Sequence, residues 1–288
     1  LVDGVIERIA RAQQPDGYLN THFSVVEPEN RWTNLRDNHE LYCAGHLIEG
    51  AVAYYQATGK RRFFDTMCRY ADYIAKTFGR RKGQKRGYCG HEEIELALVK
   101  LCRATNEKRY LDLAGYFIDE RGRSPHYFDQ EARARGEEPR TFSAETDEHH
   151  QAHVPVRELA EVGGHAVRAM YLYCGMTDVA VARGDKALLK AGKRLWRNLV
   201  EKRMHITGGV GPVAANEGFT CDYDLPNESG YLETCAAIGL VFWSQRMLNA
   251  EFDGAFADVM ERALHNGTIS GVAFDGKTFF YGNPLAAQ

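Results

Sequence analysis

The sequence lacks two features that mark particular classes of partner. No apolar run approaches the roughly 18 residues that a membrane-spanning helix needs. No block of lysine and arginine indicates a surface for nucleic acid, since the net charge is -3 and the one short basic run, GRRKGQKRG at 79–87, is rich in glycine. Such a run is typical of a solvated loop. We therefore expect neither a membrane nor a nucleic acid as a partner.

A disulfide framework is also missing. The seven cysteines are an odd number with irregular spacing, at positions 43, 68, 89, 102, 174, 221 and 235. This pattern favours reduced thiols and a cytoplasmic location. The chain begins in helical period without an initiator methionine and stops just after a strand-like run. We interpret it as a segment of a longer protein, cut at both ends, so the absence of a signal peptide carries little weight.

Strand patterns are scarce, and helical patterns dominate. Apolar residues recur at spacings of three and four in segments such as EEIELALVKLCRAT and KALLKAGKRLWRNLVEKR, which predicts amphipathic helices. Only TISGVAFDGKTFFYGNP, at 268–284, alternates like a β-hairpin, with Asp275-Gly276 as its turn. The polar stretch 121–152 shows little periodicity, and we predict a long loop there.

A weak repeat of helix hairpins runs through the chain. YYQATGKRRFFDTMCRYADYI and LCRATNEKRYLDLAGYFI each contain a helix, a short polar turn and the start of a second helix, and two looser copies follow. Stacked hairpins of this kind form either an open α-solenoid or a closed α/α toroid. The sequence therefore predicts an all-α fold, which we expect to be a single domain over residues 1–288.

Polar side chains collect where the first helix of each hairpin begins. His39, His91 and His165 precede three of these helices, and Glu233 with Cys235 begins the fourth. In a closed toroid the inner helices point the same way, so their leading ends meet at one mouth. A histidine at a helix start is most often a cap or a partly buried residue with satisfied hydrogen bonds. Recurrence at equivalent repeat positions makes a shared site an equal alternative.

The stretch NEGFTCDYDLPNESGYLETCAAIG, at 216–239, gathers carboxylates and thiols. Glu217 follows a glycine-rich loop, and a loop that carries a glutamate into a cleft is a common acid/base arrangement, although exposed loop glutamates are commoner. Thr234 is a candidate N-cap, which places Cys235 in the first turn, where the helix dipole stabilises a thiolate. Glu233 and Cys235 are suitable zinc ligands, but two ligands do not make a zinc site.

A second metal hypothesis concerns DEHHQAH at 147–153. His149 and His153 have the four-residue spacing that places two ligands on one helix face. A polar loop with unrelated histidines explains the same segment, and we favour that interpretation.

Eight segments, in order, resemble glycoside hydrolase family 127, the β-L-arabinofuranosidase family. They are AQQPDGYLNTHF, NHELYCAGHLIEGAVAYYQATGK, GHEEIELALVKL, QAHVPVRELAEVGGHAVRAMYLYCGMTDVA, ITGGVG, NEGFTCDYDLPNESGYLETCAAIG, ALHNG and FFYGNPL. The resemblance implies an incomplete (α/α)6 barrel, followed in complete members by β-sandwich domains. It also implies a retaining hydrolysis that releases terminal β-L-arabinofuranose. In that family one glutamate and three cysteines hold Zn2+, one of the cysteines is the nucleophile, and a separate glutamate is the general acid/base.

The resemblance carries over to particular residues. By the matching motifs, Glu217 is the acid/base, and Glu233 and Cys235 are zinc ligands. His39, His91 and His165 match positions that line the sugar pocket, whose substrate is a small arabinofuranoside. The family's other two zinc cysteines are an adjacent pair downstream of FFYGNPL, and this chain contains no such pair. We therefore expect the chain alone to be inactive. Whether the full-length protein forms a homo-oligomer is left open by the sequence.

Two other functions are compatible with the residues. One is a sugar epimerase or lyase on an α/α toroid, with histidines as acid and base and no need for thiol ligands. The other is a non-catalytic helical repeat scaffold that binds partners, which gives no reason for polar residues to gather at one set of helix starts.

Overall fold

A computed structural model describes residues 1–139 and 146–286, and α-helix dominates both stretches. Contacts between residues divide the chain into two compact units, Leu1–Pro139 and Arg140–Gln288. Each unit contains two of the four predicted helix hairpins. Among the described residues, no helix is both long and apolar enough to cross a membrane.

The first unit contains the hairpins α3/α4 and α5/α6. Its helices are α1 (Val2–Ala12), α2 (His22–Val25), α3 (Glu40–Thr58), α4 (Arg62–Thr77), α5 (Ile94–Thr105), α6 (Lys108–Glu120) and α7 (Tyr127–Ala134). Helix α3 packs against α5, and each packs against the second helix of its own hairpin. Gly45 of α3 is buried, and a Cβ on it would lie 3.0 Å from the Ile94 amide nitrogen, so the first helices of the two hairpins approach closely.

The second unit contains the hairpins α8/α9 and α10/α11. The helices are α8 (Ala166–Arg183), α9 (Lys186–Asn198), α10 (Thr234–Ala250) and α11 (Gly254–Arg262), and π-helical turns at Leu199–Arg203 and Ala263–Thr268 extend α9 and α11. Helices α8 and α10 pack on each other. Trp243 of α10 is fully buried there, and its indole nitrogen donates a hydrogen bond to the Thr177 hydroxyl of α8 at 3.1 Å.

The two helices of a hairpin differ in character. Helix α8 is buried around most of its circumference, whereas α9 buries one apolar stripe and presents Lys186, Lys190 and Arg197 on its other side. A helix that is apolar on nearly every side belongs in a core, and an amphipathic helix covers it. This is the inner and outer pairing that stacked hairpins require.

Three of the hairpin turns share one backbone feature. The residue after the first helix is in the left-handed region at Gly59 (φ 72°), Asn106 (φ 59°) and Gly184 (φ 65°). A left-handed residue at this position lets its amide bond a carbonyl of the last helical turn, and glycine and asparagine tolerate it best. The repeated Ala-Thr-Gly and Ala-Thr-Asn segments are therefore helix C-caps.

The predicted all-α class is confirmed, and the four hairpins lie where the repeat predicts them. The predicted β-hairpin is not confirmed: Val272 and Phe279 form an isolated antiparallel bridge, and both side chains are exposed. A turn at Asp275-Gly276 is present, but the described residues offer this segment no sheet to join.

The loop predicted at 121–152 is wrong in part. Residues Tyr127–Ala134 form α7, because Phe128 and Ala132 share a buried face. The Glu131 carboxylate on that helix accepts hydrogen bonds from the amides of Leu35 and Arg36, both at 2.9 Å. Residues 140–145 of the predicted loop lie outside the described residues. The prediction of a single domain stays a prediction.

A pair of glycine substitutions on α3 tests the cap. Gly59→Ala should lower the free energy of unfolding by about 1 kcal/mol, because the added Cβ strains a left-handed residue. Gly50→Ala, in the exposed middle of the same helix, should raise it by about 0.5–1 kcal/mol, because alanine loses less entropy there. Its Cβ would lie 3.7 Å from the nearest atom, so space does not interfere. Urea unfolding monitored by circular dichroism measures the free energy of unfolding of both variants. If both substitutions change it by the same amount in the same direction, the left-handed cap at Gly59 is contradicted.

Candidate active site

His165 links a helix terminus to a carboxylate. It is the N-cap of α8, and its Nδ1 accepts hydrogen bonds from the amides of Val167 and Arg168 at 3.2 and 3.4 Å. A neutral imidazole whose Nδ1 accepts carries its proton on Nε2. That Nε2 lies 3.2 Å from Glu217 Oε2 and donates to it. The helix start therefore sets both the tautomer and the direction of the ring.

Glu217 is held at its backbone and at both carboxylate oxygens. Its φ is 48°, in the left-handed region, and its carbonyl accepts a hydrogen bond from Ala166 at 3.0 Å. The Tyr231 hydroxyl donates to Oε1 at 3.0 Å, while His165 holds Oε2. The side chain is nevertheless 45% exposed. A carboxylate that is both oriented and accessible is suited to proton transfer with a bound molecule.

Glu233 lies at the start of α10 and is almost completely buried. It is the N-cap residue, 4% exposed, and its Oε2 has no hydrogen-bond partner among the described residues. Thr234 is the first helical residue and not the predicted cap, because its hydroxyl donates to the Phe280 carbonyl at 2.7 Å. Cys235 lies in the first turn, as predicted.

The Cys235 thiol does not behave as the helix dipole alone predicts. Burial, together with the carboxylate of Glu233 beside it, raises the pKa of Cys235 to about 12. The nearby negative charge and the loss of solvent therefore outweigh the dipole. A bound cation reverses this balance, because metal coordination deprotonates a thiol.

The structure brings three predicted residues together. One ligand atom from each of His165, Glu217 and Glu233 lies within 4.8 Å of the others. A buried carboxylate oxygen without a partner is costly, and a cation beside it would compensate the charge. Glu233 and Cys235 therefore fit a zinc ion as an oxygen and a sulfur donor, and they are half of the four ligands that such a site uses.

The other two predicted histidines pair in the first unit. His39 is the N-cap of α3, and its Nδ1 donates to the Asp37 carbonyl at 2.9 Å. The rings of His39 and His91 are 5.8 Å apart, and Tyr42 lies 5.5 and 4.3 Å from them. These rings form a polar and aromatic group on the leading end of α3.

Sequence reasoning missed several residues that support these groups. Tyr231 and Tyr42 have no distinguishing signal in the sequence. His149 lies in a turn and not on a helix, so its four-residue spacing to His153 does not place the two side chains on one helix face. Its buried ring instead packs against His165, with centroids 5.4 Å apart.

Comparison with known proteins shows the family to which the chain belongs. A family model described as "Beta-L-arabinofuranosidase, GH127 catalytic domain" matches residues 1–288. The chain belongs to this family. The GH127 chain is 41% identical over 291 residues to a non-reducing end β-L-arabinofuranosidase of Bifidobacterium longum subsp. longum, which covers 99% of this chain and 44% of that protein.

Solved structures give the same result. The GH127 chain is similar to a β-L-arabinofuranosidase from Geobacillus stearothermophilus T6, with 60% identity and a TM-score of 0.97, over 99% of this chain and 45% of that one. A second GH127 β-arabinofuranosidase is 46% identical with a TM-score of 0.88, over 99% and 43% of the two chains. The resemblance to family 127 is thus confirmed, and the chain spans less than half the length of these relatives.

Acidification tests the packing beneath His165. Burial, with the charge of Arg168 and the neighbouring His165, lowers the pKa of His149 from 6.5 to about 3. Between these values the unfolded chain binds a proton that the folded chain does not, so stability falls as the pH falls below 6.5. His149→Gln should remove about 2 kcal/mol of the loss between pH 7 and pH 5.

Urea unfolding at the two pH values measures the difference. His22→Gln serves as the control, because it removes an imidazole whose side chain is 52% exposed. Equal pH dependence in the two variants would contradict a buried, neutral His149.

Proposed function

We propose that the protein to which this chain belongs is a retaining glycoside hydrolase that releases terminal β-L-arabinofuranose. The observation that carries the proposal is the Glu217 carboxylate, which is 45% exposed and held by His165 and Tyr231 at 3.2 and 3.0 Å. Support also comes from the family, since the curated relative is named a non-reducing end β-L-arabinofuranosidase.

Glu217 is the general acid and then the general base. In the first step its carboxylic acid protonates the departing glycosidic oxygen, and in the second its carboxylate removes a proton from the attacking water. Both states are compatible with its neighbours. The Tyr231 hydroxyl can donate to the carboxylate and accept from the acid, while the His165 Nε2 proton keeps the other oxygen in place.

Glu233 and Cys235 would hold zinc together with two further cysteines. In the family these two are adjacent, and the 288 residues contain no adjacent pair of cysteines. When bound, the ion would keep a coordinated thiol deprotonated at neutral pH and fix its position. The contribution of this chain is the buried oxygen of Glu233 and the Cys235 sulfur in the first turn of α10.

His39, His91 and His165 are proposed to bind the sugar. The ring nitrogens can hydrogen-bond hydroxyl groups, and the adjacent Tyr42 offers an apolar face for a furanose ring. In His39 the Nδ1 proton points to the Asp37 carbonyl, so the ring presents Nε2 as its acceptor.

The rival functions receive less support from the contacts. A histidine that shuttles protons needs a nitrogen that is not committed elsewhere, but Nδ1 of His165 accepts from two helix amides and its Nε2 donates to Glu217. A repeat scaffold needs no grouping of His165, Glu217 and Glu233 within 4.8 Å. Both observations favour a site in which Glu217 moves the proton.

Glu217→Gln tests the acid/base role in the full-length enzyme. Hydrolysis of a β-L-arabinofuranosyl disaccharide should fall about 10²–10⁴-fold in kcat, because the leaving alcohol loses its proton donor. The first step on an activated nitrophenyl glycoside should fall much less, because that leaving group needs no proton.

Glu228→Gln is the matched control, since Glu228 lies on the same segment and is exposed. It should keep wild-type activity on both substrates. Full disaccharide turnover by the Glu217 variant would eliminate this glutamate as the acid/base.

Metal content tests the zinc proposal separately from activity. Cys235→Ser and Glu233→Gln should each lower the zinc bound per molecule of full-length protein, because each removes one of four ligands. Elemental analysis after dialysis gives the ratio. Cys221→Ser, which changes an exposed thiol, should leave it unchanged. Wild-type zinc content in both ligand variants would refute the assignment.

A further inference from the structure

We propose that the first unit binds a divalent metal ion through His46, Glu49 and Glu93. This site uses none of the residues assigned above to acid/base chemistry or to zinc. Its ligands come from α3 and from the start of α5, which pack on each other.

The three side chains converge on one point. His46 and Glu49 are three residues apart on α3 and so share a face. His46 Nδ1 lies 3.3 Å from Glu93 Oε1 and 4.0 Å from Glu49 Oε2. One ligand atom from each residue lies within 4.8 Å of the others, so the three could hold one ion.

Glu93 supplies the independent reason to expect a cation. Its side chain is 0% exposed, and neither carboxylate oxygen has a hydrogen-bond partner among the described residues. Burying a carboxylate whose oxygens make no hydrogen bond is costly in a folded protein. The side chain is directed toward His46 and Glu49, so an ion placed among the three would satisfy it.

The backbone is built around this side chain. A Cβ on Gly45 would lie 2.5 Å from Glu93 Cγ and 3.0 Å from the Ile94 amide nitrogen. Only glycine on α3 leaves room for Glu93 to lie in this position. Because Gly45 has no Cβ, the Glu93 side chain can lie directly against α3, the helix that carries the other two ligands.

Lys100 and His46 lie near different oxygens of Glu49. Its ammonium group hydrogen-bonds Glu49 Oε1, whereas Glu49 Oε2 is the oxygen nearer to His46. The side chains of His46 and Glu49 are 40% and 22% exposed, so an ion can reach the site from solvent.

The competing explanation is a shared proton. Burial and the nearby Glu49 raise the pKa of Glu93 to about 11, so in the absence of a cation this pair retains a proton. A shared proton satisfies the same carboxylates without any metal. The two explanations differ in whether the protein binds an added ion.

The donor set selects the probe. One imidazole nitrogen and carboxylate oxygens suit Mn2+ and Zn2+, whereas thiolates favour softer ions. Mn2+ therefore reports on this site with little competition from Cys235. Zn2+ binds most nitrogen and oxygen sites more tightly than Mn2+ and should displace it.

The experiment is a titration of the metal-stripped protein with Mn2+, monitored by electron paramagnetic resonance. We expect one bound Mn2+ in the wild type, released by Zn2+. Glu93→Gln should weaken binding at least about tenfold, since even the loss of a residue that only supports a ligand costs 10–100-fold. Gly45→Ala should also weaken it, because the added Cβ displaces Glu93.

Two controls keep the result interpretable. Gly50→Ala changes another glycine of α3 without a close contact, and Glu107→Gln removes an exposed carboxylate; both should bind Mn2+ like the wild type. If circular dichroism shows that Glu93→Gln does not fold, His46→Gln replaces it with the same expected loss. Absence of bound Mn2+ in the wild type, or wild-type affinity in the folded ligand variants, would overturn the proposal in favour of the shared proton.

Discussion

The candidate site depends on one residue that does two things at once. His165 caps the N-terminus of α8, because its Nδ1 accepts hydrogen bonds from two helix amides. The ring proton is therefore on Nε2, which donates to Glu217. Because helix amides at an N-terminus always need an acceptor, the tautomer of the ring does not depend on the substrate. The orientation of the carboxylate is therefore set by the secondary structure, and Tyr231 completes it.

The N-cap position carries an ionisable residue throughout the repeat, although only His165 of the four residues named below caps its helix through its side chain. The first helix of each hairpin has an ionisable N-cap residue: His39 on α3, Glu93 on α5, His165 on α8 and Glu233 on α10. A helix N-terminus carries partial positive charge, which favours a carboxylate or a neutral imidazole acceptor. The repeat thus places an ionisable side chain at the same position, the start of the first helix, in each hairpin. Both glutamates of this set are buried with at least one oxygen lacking a hydrogen bond, and both are proposed metal ligands.

Much of this could be predicted from sequence. The turns at Gly59, Asn106 and Gly184 follow from the local preference for a left-handed residue, and helical periodicity predicts the hairpins around them. The motifs singled out Glu217 and Glu233, which the structure brings together with His165, whereas the proposed roles of these residues stay predictions. The hairpin at 268–284 is not confirmed, because alternation shows which residues could pair and not whether a sheet is present to receive them. Glu93 was missed because a glutamate at a helix start is ordinarily exposed.

The sequence by itself determined the local structure: which segments are helices, where they turn, and which helix starts carry polar residues. These depend on backbone preferences and apolar period, which act over a few residues. Only the tertiary structure decided which of those polar residues meet. The bond from His165 to Glu217 spans 52 residues, and Tyr231 reaches Glu217 across 14. Such contacts arise only when separate helices pack. The same is true of the burial that leaves both oxygens of Glu93 and Oε2 of Glu233 without a hydrogen bond among the described residues.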